Sequence, residues 1–318
     1  MFGPLPGKHL IGPALLVASG FIVPLVANRY QIYILNTLAM YAVLAIGLDI
    51  LLGRAGQFAF SHVAFFGVGA YTTAALKLNF GVTTPVGIVA GMLLCALVGA
   101  LIAIPATRLK SIYLALATFG FAQAAYWLFQ NWLSVTGGPD GLRPGGADFF
   151  GIPIMSDGAA FRTLSLMLAL TIVATLYLMR SKLGRSLTAI RDSEHVATVS
   201  GISVRRTKIA AFTISSTYAG LAGGMLTIFD SFIRPDNFGF APIVLLLSML
   251  VVGGMGSLPG TLVGVAVIGL LPELLRTTMH SALAWQEVVY GVILVLSIMF
   301  MPNGIWQLAK RLARGDRS

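Results

Sequence analysis

The side chains in this sequence that could carry out acid–base, nucleophilic or metal chemistry are few and scattered. Ser61 and His62 are adjacent, so on a helix their side chains point about 100° apart, which does not suit a nucleophile and its base. None of the six lysines lies in a G-x-x-x-x-G-K-[ST] phosphate-binding loop. The histidines lack metal-ligand spacing; they are His9, His62, His195 and His280. The pattern argues against a hydrolase and predicts no nucleotide site, metal site or cofactor on this chain.

Acidic residues inside long apolar segments are a common sign of ion-coupled transport, because a buried charge at membrane depth is costly. Only Asp49, Glu273 and Glu287 fit this description, and all three lie near the ends of apolar runs. Arg54 and Arg276 are within reach of the first two. Two interpretations remain open: carboxylates that are paired or anchored at the interface, and a relay for protons or sodium ions.

The composition indicates that lipid is the solvent of most of this chain. Of its 318 residues, 57% are apolar and 10% are charged, with a mean hydropathy of +0.88. Such a chain has too few polar groups to cover a soluble surface. The apolar runs are continuous rather than alternating, which favours helices over barrel strands. We therefore predict an all-α, polytopic transmembrane helical bundle that forms a single transmembrane domain over residues 1–318.

Ten apolar runs are long enough to consider as membrane crossings. The third contains many glycine and polar residues, and the eighth and ninth are short, so we expect about eight to ten spans with broken or re-entrant segments among these three. The runs are Leu10–Ala27, Ile32–Leu52, Ala55–Leu76, Thr83–Ile104, Ile112–Leu133, Thr163–Met179, Ile209–Phe229, Ala241–Met255, Thr261–Leu275 and Ala284–Met301.

The basic residues predict the orientation of these runs. Lys and Arg concentrate in cytoplasmic loops of membrane proteins. Most of the 21 basic residues fall on one side if both termini are cytoplasmic. This distribution over short loops explains the net charge of +10 without a nucleic-acid partner, which would need a basic face.

Two glycine-rich stretches are candidates for a translocation path. Residues 53–71 mix glycine with polar and aromatic residues, and Gly253–Gly260 has a similar arrangement 200 positions later, which hints at an internal repeat. Glycine permits helix breaks whose freed backbone groups line a cavity, but it also permits close helix packing, and both interpretations remain open. Likewise, Gln57 and His62 either offer dipoles to a substrate or join helices. The candidate path residues are Gly56, Gln57, Ser61, His62, Gly67, Gly69, Gly253, Gly256 and Gly260.

A basic segment at about residues 181–208 interrupts the apolar sequence and is typical of a contact for a soluble partner. Ser193 is suited to cap a helix, Glu194 places a negative charge in its first turn, and Gly201 is suited to end it. We predict a helix of about two turns over Glu194–Ser200. It is too short to be stable without packing against other structure. A solvated basic loop is the alternative.

Three motifs together resemble the LivM-type permeases of branched-chain amino acid ABC importers. The resemblance extends from about Asn36 to Asn303. The motifs are the stretch Gly56–Tyr71, the outer-loop sequence Thr136-Gly137-Gly138-Pro139-Asp140-Gly141-Leu142, and the inner-loop sequence Gly184-Arg185-Ser186-Leu187-Thr188-Ala189-Ile190-Arg191-Asp192-Ser193-Glu194.

The resemblance implies a subunit of a larger importer in the bacterial inner membrane. The expected partners are a second homologous permease chain, two P-loop ATPase subunits that hold ATP and Mg, and a periplasmic substrate-binding protein. The implied ATPase-coupling residues are Gly184, Arg185, Arg191, Asp192, Ser193, Glu194, Ala197 and Gly201. His195 and Val196 depart from the small residues usual there. The periplasmic loop, about residues 134–162, carries Thr136, Gly137, Gly138, Asp140 and Gly141.

Several functional classes stay open at this point. Permeases for urea or short-chain amides have similar sequences, so the substrate is less certain than the family. An ion-driven secondary transporter is disfavoured because no carboxylate lies mid-membrane. A purely structural membrane protein is disfavoured by the polar, glycine-rich apolar segments.

Overall fold

A computed structural model describes residues 11–109, 111–149, 151–154, 156–273, 286–300 and 304–314. These residues form helices almost throughout, because only a helix satisfies the backbone of a long apolar segment by itself. The helices are α1 Ile11–Val26, α2 Arg29–Leu48, α3 His62–Phe80, α4 Thr84–Ala106, α5 Ser111–Asn131, α6 Leu133–Thr136, α7 Asp157–Arg180, α8 Lys182–Asp192, α9 Glu194–Val199, α10 Val204–Phe229, α11 Phe240–Gly253, α12 Leu258–Gly269, α13 Gln286–Phe300 and α14 Gly304–Arg314.

Five of the described helical segments are long and apolar enough to cross a membrane. They are Arg29–Arg54, Thr84–Ala106, Ile112–Asn131, Asp157–Arg180 and Val204–Phe229. Shorter apolar helices accompany them, and the two-residue strands β1 (Asp148–Phe149) and β2 (Ile152–Pro153) form a small antiparallel pair. The prediction of a polytopic helical membrane protein is therefore confirmed.

Small residues hold the centre of the bundle together, where α10 packs between α2, α3 and α4. A Cβ atom on Gly69 would collide with the backbone of Gly220, and one on Gly220 would lie 2.9 Å from the Cys95 sulfur. Helices in lipid associate through such close backbone approach, since apolar burial alone gives little advantage there. Glycine at these positions lets α3, α4 and α10 touch.

The helix of the third predicted run begins later than the sequence suggested. The predicted start at Ala55 was wrong. The chain leaves α2 through a π-helical turn, Asp49–Arg54, and then runs without helical structure to Ser61. Gly56 has φ +66°, a left-handed conformation that interrupts a helix. As a result α3 starts at His62 and continues to Phe80, beyond the predicted end.

The eighth and ninth runs form two short helices, as their lengths suggested. Fourteen residues in α11 and twelve in α12 give lengths of about 21 and 18 Å, against a hydrocarbon core of about 30 Å. They pack on each other, and a Cβ atom on Gly264 would collide with the Met249 carbonyl oxygen. This geometry agrees with the expectation that broken or re-entrant segments lie among these runs.

The structure contains two helices that the sequence did not predict. The basic segment at 181–208 is not mainly a loop, since α8 occupies Lys182–Asp192 before α9 begins. Helix α14 was not predicted at all. His9, Arg276 and His280 lie outside the described residues, as does the side chain of Glu287.

Candidate functional site

Asp49 lies at the start of the π-helical turn and is 3% exposed. One carboxylate oxygen, Oδ2, is 3.4 Å from Arg54 Nε, and the other, Oδ1, accepts a hydrogen bond of 2.6 Å from the Gly256 backbone N–H. A buried carboxylate needs such partners to offset the loss of water. Asp49 therefore joins the first glycine-rich stretch to the second, 207 positions away.

The Gly254–Ser257 turn between α11 and α12 presents the Gly256 N–H to Asp49. Gly254 and Gly256 have φ of +107° and +81°, which side chains with a Cβ rarely adopt. A Cβ atom on Gly256 would lie 2.9 Å from the Gly53 carbonyl oxygen, and one on Gly53 would lie 2.6 Å from the Gly256 nitrogen. The two stretches touch through backbone, so their matching glycines serve one shared contact.

Arg191, in the last turn of α8, brings the basic segment to the same place. Its Nη1 donates a hydrogen bond to the Gly53 carbonyl oxygen. Cβ atoms on Gly56 and Gly256 would both meet the Arg191 side chain. We call this meeting point of Asp49, Gly53, Gly256 and Arg191 the junction. One arginine thus contacts both glycine-rich stretches.

Helix α9 follows directly and has the predicted caps. Ser193 Oγ accepts a hydrogen bond of 3.3 Å from the Val196 N–H, and Gly201 has φ +78°. Glu194 Oε1 lies 2.5 Å from Lys208 Nζ, which attaches α9 to α10. Ala197 is 1% exposed and faces the protein. The predicted helix over Glu194–Ser200 is confirmed to within one residue.

The exposed part of α9 carries two valines. Val196 is 65% exposed and Val199 is 89% exposed, although the helix lies in the basic segment. They lie three positions apart, so on a helix they are neighbours and form a small apolar patch. The exposure of these valines was not predicted. The only signal in the sequence is the position of Val196 and Val199 on the side of a two-turn helix away from Ala197.

The remaining residues predicted to couple to an ATPase shape the α7–α8 corner or face solvent. A Cβ atom on Gly184 would lie 2.5 Å from the Leu178 and Met179 carbonyl oxygens, so only glycine fits this corner. Arg185 Nη1 donates a hydrogen bond of 2.9 Å to the Arg180 carbonyl oxygen. Asp192 is exposed.

Among the candidate path residues, Gly56 and Gln57 line a cavity of 410 Å³ at the same end of the bundle as α9. Gln57 is 5% exposed, and its Nε2 has no hydrogen-bond partner within the part of the chain that the structure describes. Arg108, Glu194 and Lys208 also line this cavity. The cavity connects the first glycine-rich stretch with α9.

His62 joins helices rather than lining that cavity. Its Nε2 is 2.8 Å from the Leu44 carbonyl oxygen, and its Nδ1 is 3.1 Å from Ser215 Oγ. These bonds hold α3 between α2 and α10. Ser61, just before α3, is 1% exposed. The geometry favours the interpretation of His62 as a buried link between helices.

Four other candidate path glycines are contact positions between elements. A Cβ atom on Gly67 would collide with the Phe129 ring, and one on Gly69 would collide with the Gly220 backbone. A Cβ atom on Gly260 would lie 2.7 Å from the Gly253 carbonyl oxygen. The α11–α12 contact therefore includes both Gly253 and Gly260.

The outer-loop motif forms a tight, ordered turn. Thr136 Oγ1 donates to the Phe129 and Trp132 carbonyl oxygens at 2.7 and 2.8 Å. Gly137, Gly138 and Gly141 all have positive φ, between +61° and +73°. Leu142 pairs with Ile233, so the turn rests on the segment after α10, while Asp140 is exposed.

Comparison with known proteins identifies the family. The model of the branched-chain amino acid transport system / permease component family matches residues 30–298. The permease protein LivM of the high-affinity branched-chain amino acid transport system of Escherichia coli K12 is 30% identical over 313 residues, covering 90% of this chain and 72% of LivM. The LivH permease protein of the same organism is 27% identical over 83% of this chain and 90% of LivH.

A more distant likeness is to the ribose import permease protein RbsC of Bacillus subtilis, 30% identical over 48% of this chain and 46% of RbsC. No solved structure matches the chain. The relatives are named as permeases of transport systems rather than as enzymes. The match of one family model to most of the sequence, on a multi-pass helical structure, shows that this chain belongs to the permease family of branched-chain amino acid ABC transport systems.

Proposed function

We propose that this chain is a membrane-spanning subunit of an ATP-driven importer of branched-chain, hydrophobic amino acids. It forms half of the translocation path beside a second, homologous permease chain. Similarity to both LivM and LivH, two permease proteins of such systems, supports a partnership of related chains. Two P-loop ATPase subunits supply ATP hydrolysis with Mg, and a periplasmic binding protein delivers substrate to the outer loops.

The contact of Arg191 with both glycine-rich stretches is the observation that carries this proposal. In the proposed cycle, closure of the ATPase subunits moves α9, and α8 passes that movement to the junction through Arg191. The helices that start or end there are α2, α11 and α12. A shift between two arrangements of these helices would open the path alternately to the two sides.

The proposal places the chain in the bacterial inner membrane with both termini cytoplasmic. Arg54, Arg191, Lys208 and Lys310 lie at one end of the bundle, around the junction and the cavities beside it. Positively charged residues favour the cytoplasmic side. That end also carries α9, where soluble ATPase subunits would dock.

Substitution of Val199 by Asp tests docking. The exposed valine should enter a pocket of the ATPase subunit, and burying a carboxylate there should weaken binding by at least about 2 kcal/mol, roughly 30-fold. We expect the purified permease to lose its ATPase subunits in a pull-down while its own thermal unfolding is unchanged. Retention of those subunits at wild-type stoichiometry contradicts the docking role of α9.

Two controls separate docking from general damage. Val199→Ala keeps an apolar surface and should retain most binding. Gln307→Asp adds the same charge to an exposed position of α14, at the same end of the bundle. Loss of the ATPase subunits with Gln307→Asp as well would mean that added charge, rather than α9, is responsible.

A further inference from the structure

A chamber of 330 Å³ lies at the end of the bundle opposite the junction. It is bounded by the first half of α2, the end of α10, the start of α11 and α13. Thr37 on its wall and Asp49 in the junction are both on the same helical segment, twelve positions or about 18 Å apart. The volume is near the lower limit of small-molecule sites, about 300–1,000 Å³, and suits a single small solute.

The inner wall of the chamber is apolar and connects to the first glycine-rich stretch. Met40 and Phe66 are each 2% exposed, and Leu245 completes this wall. Phe66 belongs to α3, four residues after that helix begins at the broken segment. Its ring packs edge-on against Phe238 with 5.1 Å between the centroids, which fixes its position. An aliphatic group would fit against these side chains.

The polar wall of the chamber is acidic. Asp230 and Asp236 line it, and its described lining includes no Lys, Arg or His. Asp230 Oδ1 accepts a 3.0 Å hydrogen bond from the Phe232 N–H, and Asp236 Oδ1 accepts one of 3.2 Å from the Tyr126 hydroxyl. Within the described part of the chain, these bonds occupy only one oxygen of each carboxylate.

Asp230 is the more enclosed of the two acids. Burial raises the pKa of its carboxyl, and the Phe232 N–H and Arg234 oppose that shift. The Arg234 guanidinium stacks on the Phe232 ring, 4.5 Å from its centroid, outside the chamber lining. A half-enclosed carboxylate beside an apolar wall attracts a cation that carries an apolar group.

We propose that this chamber is a transient site for the substrate amino acid, in which Asp230 accepts the α-ammonium group and Met40, Phe66 and Leu245 contact an aliphatic side chain. The assignment rests on the proposed function for the identity of its ligand and adds the place and the chemistry of recognition. It also separates amino acids from urea and short-chain amides, because a neutral amide has no ammonium group to pair with Asp230.

Protection of an introduced cysteine tests the site in the assembled transporter. Cys95 is the sole native cysteine and is buried, so Thr37→Cys in a Cys95→Ala background offers one thiol in the chamber wall. The rate of labelling by N-ethylmaleimide is measured with L-leucine, with isoamylamine, which lacks the carboxylate, and with isocaproate, which lacks the ammonium group. We expect L-leucine and isoamylamine to slow labelling and isocaproate to leave it unchanged.

Asp230→Asn is then added to the Thr37→Cys protein. The L-leucine concentration that gives half of the maximal protection should rise about tenfold, which is the loss of affinity expected for one charge-assisted hydrogen bond. Asp157→Asn is the matched control, because Asp157 is at the same end of the bundle, is half exposed and pairs with Arg29 outside the chamber. Equal protection by isocaproate, no protection by either amine, or the same shift with both substitutions would overturn the proposal.

The comparison of the three ligands in the Thr37→Cys protein needs no change at Asp230. It therefore tests the chamber site even if the Asp230→Asn protein fails to assemble. Uptake of L-leucine by the wild-type transporter is measured in parallel. Uptake without protection overturns the chamber site and leaves the proposed function standing. Protection without uptake supports the chamber and contradicts the proposed function.

Discussion

At the scale of single residues, Asp49 is the side chain on which the junction depends. Its two carboxylate oxygens reach Arg54 and the Gly256 N–H, and it is almost fully enclosed. Of the two interpretations that the sequence left open for this residue, the contact with Arg54 favours the paired carboxylate. The contact with Gly256 was not predictable, because nothing in a local pattern indicates a partner 207 positions away.

Substitution Asp49→Asn should destabilise the protein. Asparagine still accepts the Gly256 hydrogen bond but leaves the Arg54 guanidinium without its anion. We expect a loss of about 1–3 kcal/mol in the free energy of unfolding, measured by denaturant unfolding in detergent. Asp157→Asn removes an exposed ion pair with Arg29 and should cost no more than about 1 kcal/mol. Equal losses from both would contradict the role of Asp49.

Asp148 should make a pH-dependent contribution to the stability of the loop at about residues 134–162. Its Oδ1 is 3.0 Å from Lys77 Nζ and accepts a 3.1 Å hydrogen bond from Thr84 Oγ1. Burial opposes ionisation, but the interactions with Lys77 and Thr84 outweigh it and hold the pKa of Asp148 below its ordinary value of 3.8. The carboxylate therefore stabilises the fold above that value and loses its contribution as the pH falls through the lowered pKa.

Thermal unfolding across a pH series measures this contribution. The difference in midpoint between the wild type and Asp148→Asn should be constant near neutral pH and should shrink as the solution is acidified below pH 3.8. A difference that grows on acidification would show that the interaction has the opposite sign.

At the scale of elements, apolar runs in the sequence predicted the long helices well, because a membrane crossing needs a long continuous apolar segment. The start of α3 was misplaced because the left-handed Gly56 follows a π-helical turn that has no clear sequence signal. Helix α8 was missed because only one of its faces is apolar, with Leu187 and Ile190 buried. Its hydropathy therefore resembled that of a loop.

Substitution Gly256→Ala should damage the contact between the two glycine-rich elements. The added methyl group would meet the Arg191 side chain and the Gly53 carbonyl oxygen, on a residue with φ +81°. We expect a loss of at least about 1–2 kcal/mol in stability and a larger loss of ATP-driven uptake. Gly120→Ala is the control, since a Cβ atom there meets nothing within 4 Å. Normal uptake by Gly256→Ala would contradict the role of the junction.

At the scale of the whole molecule, the described elements form one continuous route between its two ends. Helix α9 adjoins α8 at Ser193, Arg191 of α8 contacts the junction, and α2 extends from the junction to the chamber. The sequence indicated two parts of this route separately, the basic segment and the glycine-rich stretches, but not the chamber. Their connection became visible only in three dimensions, because the Arg191–Gly53 contact joins residues 138 positions apart.

We propose that this route works inside a larger ATP-driven complex. The most direct test is to purify the chain in mild detergent from its native membrane and to identify by mass spectrometry what accompanies it in stoichiometric amount. We predict P-loop ATPase subunits together with a second permease chain. Recovery of this chain alone, from a preparation that retains known membrane complexes, would contradict the account and would favour a transporter that acts by itself.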